Sequence, residues 1–483
     1  MAKPSGVPPG GRDQRIVIWA IVLFGLFLAA LASRLPYSLT VSTLHADEEF
    51  FGIPTVRQFL QGEWPVFLYG NAYMAPVQEW FSSLLVRGFG ESLLTWRLPG
   101  IVFGCLAICA QWAVLTRTFS FGAAIAICLP LLFQTSAMGV YMTYGVPSYA
   151  IAMLCGVGIQ GAALWLDRRR SFFAWFLFGV LAGFSAYVFK ILAIQIGTAL
   201  LWLFFRSDFF AGLRSLWSNN SQWRRRSWIA LGVMTFGAAC LILASYRPLT
   251  RPGYRLAESW ELPVAGIGAL TLFVSAATIA WRGPGFTRGL ARVSICAIGI
   301  AVSYLPPVAY FQIVQQPRFA AQGMEFHEAS KFALRHAHEW PAQAAFFLER
   351  LLPVCILGRY DELFVHEVRW MRPTWRTGLS IVALLAFIAP AIYRWRIGDR
   401  PDVTASYWLV ALPVFVVVLI MIPSWRLNGD WSFRYLFPFQ AGAYVALAKF
   451  YEPVINKYPR TALAAPVLYA AYGVFDTYFH TMS

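Results

Sequence analysis

The chain has 483 residues, of which 58% are hydrophobic and only 13% charged. Soluble domains carry about 45–50% apolar and about 25% charged residues, so a soluble enzyme is excluded. The net charge of +16 invites a nucleic-acid partner, but most of the excess falls on one side of the predicted membrane spans, and no nucleic acid is expected.

Residues 1–15, with Pro4, Gly6, Pro8, Pro9, Gly10 and Gly11, read as a short flexible cytoplasmic tail. After it, apolar blocks follow one another, each about 17–22 residues long and able to cross about 30 Å of hydrocarbon as a helix. They predict thirteen spans, at 16–33, 93–116, 120–137, 146–166, 171–189, 190–205, 228–246, 263–281, 293–313, 378–393, 406–424, 435–448 and 461–478. Positions 189–190 either divide two spans or lie within one broken helix. The first block is long, and no small-residue cleavage site follows it before Arg34-Leu35-Pro36, so it reads as a span rather than a cleaved signal. The expected fold is all-α: one polytopic membrane domain over 16–483, with outer loops at 34–92, 247–262 and 314–377.

With the N-terminus inside, the inner segments hold 21 of the 39 Lys and Arg but only 6 of the 23 acids. That is an excess of +15, against +1 for the rest of the chain. Positive charge is retained on the cytoplasmic side during insertion, so the imbalance predicts the orientation. It puts the long loops and most acids on the outer, periplasmic face of the cell's inner membrane, where any chemistry is expected. Of the seven cysteines, Cys105, Cys109, Cys128, Cys155, Cys240 and Cys296 fall inside predicted spans and Cys355 in an outer loop. With no CxxC pair they read as small core hydrophobes, and no metal site is expected.

The first outer loop carries helical periodicity. Val77, Trp80, Phe81, Leu84 and Leu85 share one face, with Gln78, Glu79, Ser82 and Ser83 opposite. Before them, Val56, Phe59 and Leu60 face away from Arg57, Gln58 and Gln61. Both stretches are expected to lie along the membrane surface as amphipathic helices, and 314–377 repeats the pattern.

Three places carry side chains suited to chemistry. Asp47 and Glu48, in His45-Ala46-Asp47-Glu48-Glu49, open the first surface helix. A carboxylate there suits proton abstraction from a hydroxyl, and it equally suits a helix cap. Lys190 ends an apolar run in Tyr187-Val188-Phe189-Lys190, and Arg247 ends another. Each fits either a lipid phosphate at head-group depth or an interfacial anchor. Arg434 and Tyr435, in Arg434-Tyr435-Leu436-Phe437-Pro438, fit a phosphate or carboxylate clamp or an interfacial belt. His336-Ala337-His338 invites a metal reading, but a spacing of two on a helix sends the rings to different faces. The chain has no P-loop and no GxGxxG.

Taken in order, Asp47-Glu48, Gly88-Phe89-Gly90-Glu91-Ser92 with Arg97-Leu98-Pro99, Gly183 to Lys190, Leu352-Pro353 with Gly358, and Arg434 to Pro438 resemble the GT-C glycosyltransferases. The likeness is to the bacterial polyprenyl-phosphate-dependent branch, which includes protein O-mannosyltransferases and the lipid A aminoarabinose transferase. The resemblance implies inverting transfer of a sugar from a polyprenyl-phosphate donor to a hydroxyl on a lipid, polysaccharide or protein acceptor. Asp47 would be the base, Glu48 would orient substrate, and Lys190 would steady the phosphate. Substrate-binding roles would fall to Arg247, Arg434 and Tyr435. Two positions depart from the pattern: Phe51 replaces a tyrosine, and Met74-Ala75-Pro76 lacks a lysine. No acid stands in Tyr141-Met142-Thr143-Tyr144-Gly145-Val146, so a divalent metal cofactor is not supported. The rival is a lipid or sugar-lipid transporter or flippase, which requires ionisable groups near mid-membrane.

Overall fold

The computed structural model describes residues 12–40, 47–117, 119–134, 148–166, 171–206, 285–321 and 451–482, together with a few isolated positions. The described residues are helical, with two isolated β-bridges and no strand among them. In chain order the helices are α1 (Arg12–Thr40), α2 (Ile53–Leu60), α3 (Val77–Phe89), α4 (Leu93–Leu115), α5 (Phe121–Leu132) and α6 (Tyr149–Leu166). They continue with α7 (Phe172–Val188), α8 (Leu192–Arg206), α9 (Gly285–Tyr310), α10 (Gln316–Ala321), α11 (Glu452–Lys457) and α12 (Pro459–Met482). A first π-helical turn, Glu48–Gly52, leads into α2, and a second, Phe311–Gln315, joins α9 to α10.

Among the described residues, four stretches are long and apolar enough to cross a membrane: Ile16–Pro36, Leu93–Leu115, Tyr149–Leu166 and Ala291–Ala321. Helices occupy the predicted spans at 16–33, 93–116, 120–137, 146–166, 171–189, 190–205, 293–313 and 461–478. The predicted spans at 228–246, 263–281, 378–393, 406–424 and 435–448 lie outside the described residues but for isolated positions. The surface pattern of 322–377, with its histidines, lies outside them too.

Two boundaries differ from expectation. The helix that carries the first predicted span, 16–33, runs on to Thr40, and α5 ends at Leu132 rather than 137. One contact accounts for both. Arg34 is buried, and its guanidinium donates to the carbonyls of Leu131 at 2.7 Å and Leu132 at 3.4 Å. A cation on the unpaired carbonyls at a helix C-terminus is favourable, so Arg34 closes α5 and need not leave α1 to reach water.

The residues form two compact units: 1–63 with 76–158 and 331–483, and 64–75 with 159–330. In the first, α1 packs on α4 and α5 on α12. Its apolar core joins Leu26, Cys109, Trp112, Leu115 and Ile127, with Trp19 tilted against Trp112 at 4.8 Å. Cys105, Cys109 and Cys128 are buried there as free thiols, in keeping with their reading as core residues. In the second unit α7 and α9 pair along their length. Gly179 and Gly183, one turn apart on α7, allow this: a Cβ at Gly179 would strike the Cys296 carbonyl, and one at Gly183 the backbone of Ile300. Small residues at this spacing let helix backbones approach closely, the usual device of membrane helix pairs.

The two helices of the first loop bury opposite kinds of face. α2 buries Ile53, Val56 and Phe59 and exposes Arg57. α3 does the reverse: Gln78, Glu79, Ser82 and Ser83 are buried, while Phe81, Leu84 and Phe89 are exposed. An outward apolar face suits hydrocarbon, which costs a leucine nothing. The inward polar face fills the unit with groups that need partners.

Candidate functional site

Among the described residues a helical run extends from Asp47 to Leu60 through the first π turn. Pro54 has no N–H to donate to the turn before it, which leaves that turn free to widen. Thr55 Oγ1 donates to the Phe51 carbonyl at 2.7 Å. Widening the helix here turns Glu48 inward. Its carboxylate accepts from Arg97 Nε and Nη2, each at 3.0 Å. Neither side chain sees solvent to any extent, at 4% and 0% exposure. Arg97 Nη1 donates to the Ser38 carbonyl at 3.2 Å, so one guanidinium ties the end of α1 to the π turn.

Arg97 is itself fixed by the start of α4. Ser92 and Thr95 form a reciprocal capping box there, and Thr95 Oγ1 also donates to the Gly90 carbonyl at 3.0 Å. A buried, bidentate pair of this kind holds its members in one geometry. Glu48 is therefore occupied as an anchor. Asp47, its neighbour, is buried at 6% exposure and makes no side-chain cap bond to the π turn that follows it.

A small cleft adjoins the pair, lined by Glu48, Gln78, Glu79, Ser82, Trp96 and Arg97. Ser82 Oγ bridges the Gln78 and Trp96 carbonyls at 3.1 and 2.9 Å, holding α3 on α4. Gln78 Oε1, Trp96 Nε1 and both carboxyl oxygens of Glu79 are buried without a hydrogen-bond partner among the described residues. Burial, weakly opposed by its own backbone amide, pushes the Glu79 carboxyl up to about 8.

Lys190 lies in the second unit, at the break between α7 and α8. Phe189 is extended and pairs with Met74 in an antiparallel bridge. Flanking it, the Ala75 amide donates to Val188 at 3.0 Å and the Lys190 amide to Tyr73 at 3.2 Å. Positions 189–190 thus separate two helices, because a strand-like piece of the first loop takes the backbone groups there. The loop is pinned further by Tyr187 Oη, donating to Val66 at 2.6 Å, and by Gln315 of the second π turn, bonded to Trp64 and Val66. Lys190 is half-buried, with Nζ 6.0 Å from the centre of the Phe67 ring. Phe67 stands edge-on to Tyr187 and Phe311 at 5.6 and 5.0 Å. Arg247, Arg434 and Tyr435 lie outside the described residues.

Sequence reasoning did not single out Arg34, Arg97 or Glu79 as functional. A signal existed for Arg97, a lone charge within the apolar run 93–116. A charge so placed needs a buried partner.

No family model and no curated protein matches the chain. Among solved structures it is similar to the oligosaccharyltransferase AglB of Archaeoglobus fulgidus, in complex with an inhibitory peptide and a dolichol-phosphate. Identity is 16% over 96% of this chain and 55% of that one, with a TM-score of 0.49. A second structure of an A. fulgidus oligosaccharyltransferase, with zinc and sulfate, gives 15% identity, 95% and 52% coverage and a TM-score of 0.42. ArnT of Cupriavidus metallidurans bound to undecaprenyl phosphate gives 16%, 90% and 78%, and 0.30. The chain spans about half the length of the two oligosaccharyltransferase chains. At such identities and TM-scores the likeness adds no weight to a reading of function.

Proposed function

We propose that the chain is a membrane glycosyltransferase that moves a sugar, with inversion, from a polyprenyl-phosphate donor to a hydroxyl acceptor at the periplasmic face of the inner membrane. The observation that supports this best is Asp47. It is a buried carboxylate that adjoins an anchored ion pair at the position where the motif order expects a base. Asp47 takes the proton of the attacking hydroxyl as the sugar–phosphate bond breaks. Lys190, Arg247, Arg434 and Tyr435 are assigned to the donor, with Lys190 meeting the phosphate. A fixed cation there lowers the barrier because negative charge grows on the leaving group. The acceptor is a lipid, polysaccharide or protein. Glu48, with both oxygens on Arg97, acts by holding Asp47 rather than by exchanging protons.

The test compares the masses of surface lipids and polysaccharides from cells lacking the gene, cells with the wild type, and cells with Asp47→Asn. A sugar-sized mass that appears with the wild type and falls by about 10²-fold with Asp47→Asn is the expected result. Normal product from a well-inserted Asp47→Asn protein refutes the base assignment. No change in any pool, with lipid redistributed between leaflets, supports the transporter instead.

A further inference from the structure

α3 turns its polar side into the protein, and Glu79 sits on that side at 2% exposure with neither carboxyl oxygen hydrogen-bonded among the described residues. An ionised carboxylate so placed is very costly, and such a group keeps its proton instead. It lines the same cleft as Glu48 and Arg97. The ionisable groups that line the cleft with it are Glu48 from the π turn and Arg97 from α4, with Asp47 buried next to Glu48 in the chain. Arg57 of α2 and Arg87 of α3 are exposed, and Arg87 donates to the Phe59 carbonyl at 2.6 Å. Among the described residues, Arg97 is the cation that an ionised Glu79 would meet in this cleft, and Glu48 already holds it through two bonds.

We propose that Glu79 is a protonated positioning residue: while neutral it leaves Arg97 to Glu48 and so keeps the π turn and Asp47 in place, and on losing its proton it competes for Arg97 and loosens that turn. The link to Asp47 rests on the function proposed above, whereas the proton on Glu79 does not. The upward push that burial gives its carboxyl, to about 8, puts the change on the alkaline side of neutrality. Over that range the competitor is absent at low pH and present at high pH. Protection of the π turn therefore falls as pH rises.

The experiment uses the full chain in nanodiscs of phosphatidylethanolamine and phosphatidylglycerol. Infrared difference spectra between wild type and Glu79→Gln report a protonated carboxyl directly. It is expected at pH 7 and absent at pH 10; its absence at pH 7 overturns the proposal. Hydrogen exchange over 47–60 is then compared between the two proteins at matched pH. The expected result is similar protection at pH 7 and a loss of protection in the wild type, but not in Glu79→Gln, one unit above the titration point, where the ionised form outnumbers the neutral one by about ten to one. Equal exchange at both pH values means that Glu79 does not act on the turn. Glu79→Met is the substitute if Glu79→Gln inserts poorly. Where transfer is measurable, an alkaline fall in rate present in the wild type and missing in Glu79→Gln completes the case. Failure of transfer in every protein leaves the infrared and exchange results standing and refutes only the proposed reaction.

Discussion

Arg97→Met is expected to destabilise the protein by about 3–5 kcal/mol, the usual cost of stranding one charge of a buried pair. The magnitude follows from the site. Glu48 and Arg97 meet through two 3.0 Å bonds at 4% and 0% exposure, so solvent screening does little to reduce it. Removing Arg97 leaves a carboxylate with no water and also frees the Ser38 carbonyl. Removing both charges, in Glu48→Gln with Arg97→Met, leaves no stranded ion. The double variant is therefore expected to lie well above the sum of the single losses, with a coupling of about 2–3 kcal/mol. Denaturant titration of the detergent-solubilised full chain, followed by helical circular dichroism, measures all four proteins. Additivity within about 0.5 kcal/mol would refute the reasoning and reduce the pair to a contact without energetic consequence.

Gly183→Leu should separate α7 from α9, because any Cβ there strikes Ile300. A loss of about 1–3 kcal/mol or more is expected by denaturant titration, and wild-type stability would count against that close approach. Lys190→Met keeps the aliphatic stem but deletes the charge, so insertion should be normal and transfer poor even at saturating donor. Full activity in that variant moves the phosphate site toward Arg247 or Arg434. For Glu79 the sign of the stability linkage is fixed by the raised carboxyl. The folded state holds a proton that the unfolded chain releases at about 4.5, so wild-type stability should fall relative to Glu79→Gln between that pH and about 8. A difference between the two proteins that does not vary with pH over this range would contradict it.

Helices at eight of the predicted spans were legible because membrane helices are written in long apolar runs, a signal local to each segment. The break at Phe189 was not settled by such a signal, since 171–205 is apolar on both sides of Lys190. What sets it is pairing with Tyr73 to Ala75, more than a hundred residues earlier. The continuation of α1 past 33 and the early end of α5 were hidden for a similar reason: the carbonyls that hold Arg34 lie 97 and 98 residues away in the sequence.

The site was legible in residue type and opaque in arrangement. Asp47 and Glu48 stood out as an acidic pair, but adjacency hides that the π turn assigns them different work, Glu48 to Arg97 and Asp47 to the position beside it. Glu79 was hidden more deeply. An amphipathic pattern gives two faces without saying which one meets protein, and for a soluble helix the apolar face would go inward. Where the surroundings are hydrocarbon that preference vanishes, and the polar face turns in to find partners. Gln78, Ser82 and Ser83 follow Glu79 inward on α3, so this inversion, rather than any single motif, creates the polar cleft beside Glu48 and Arg97. It also gives the catalytic reading its physical setting: water is kept from the carboxylates by protein on one side, and the apolar face of α3 suits lipid on the other.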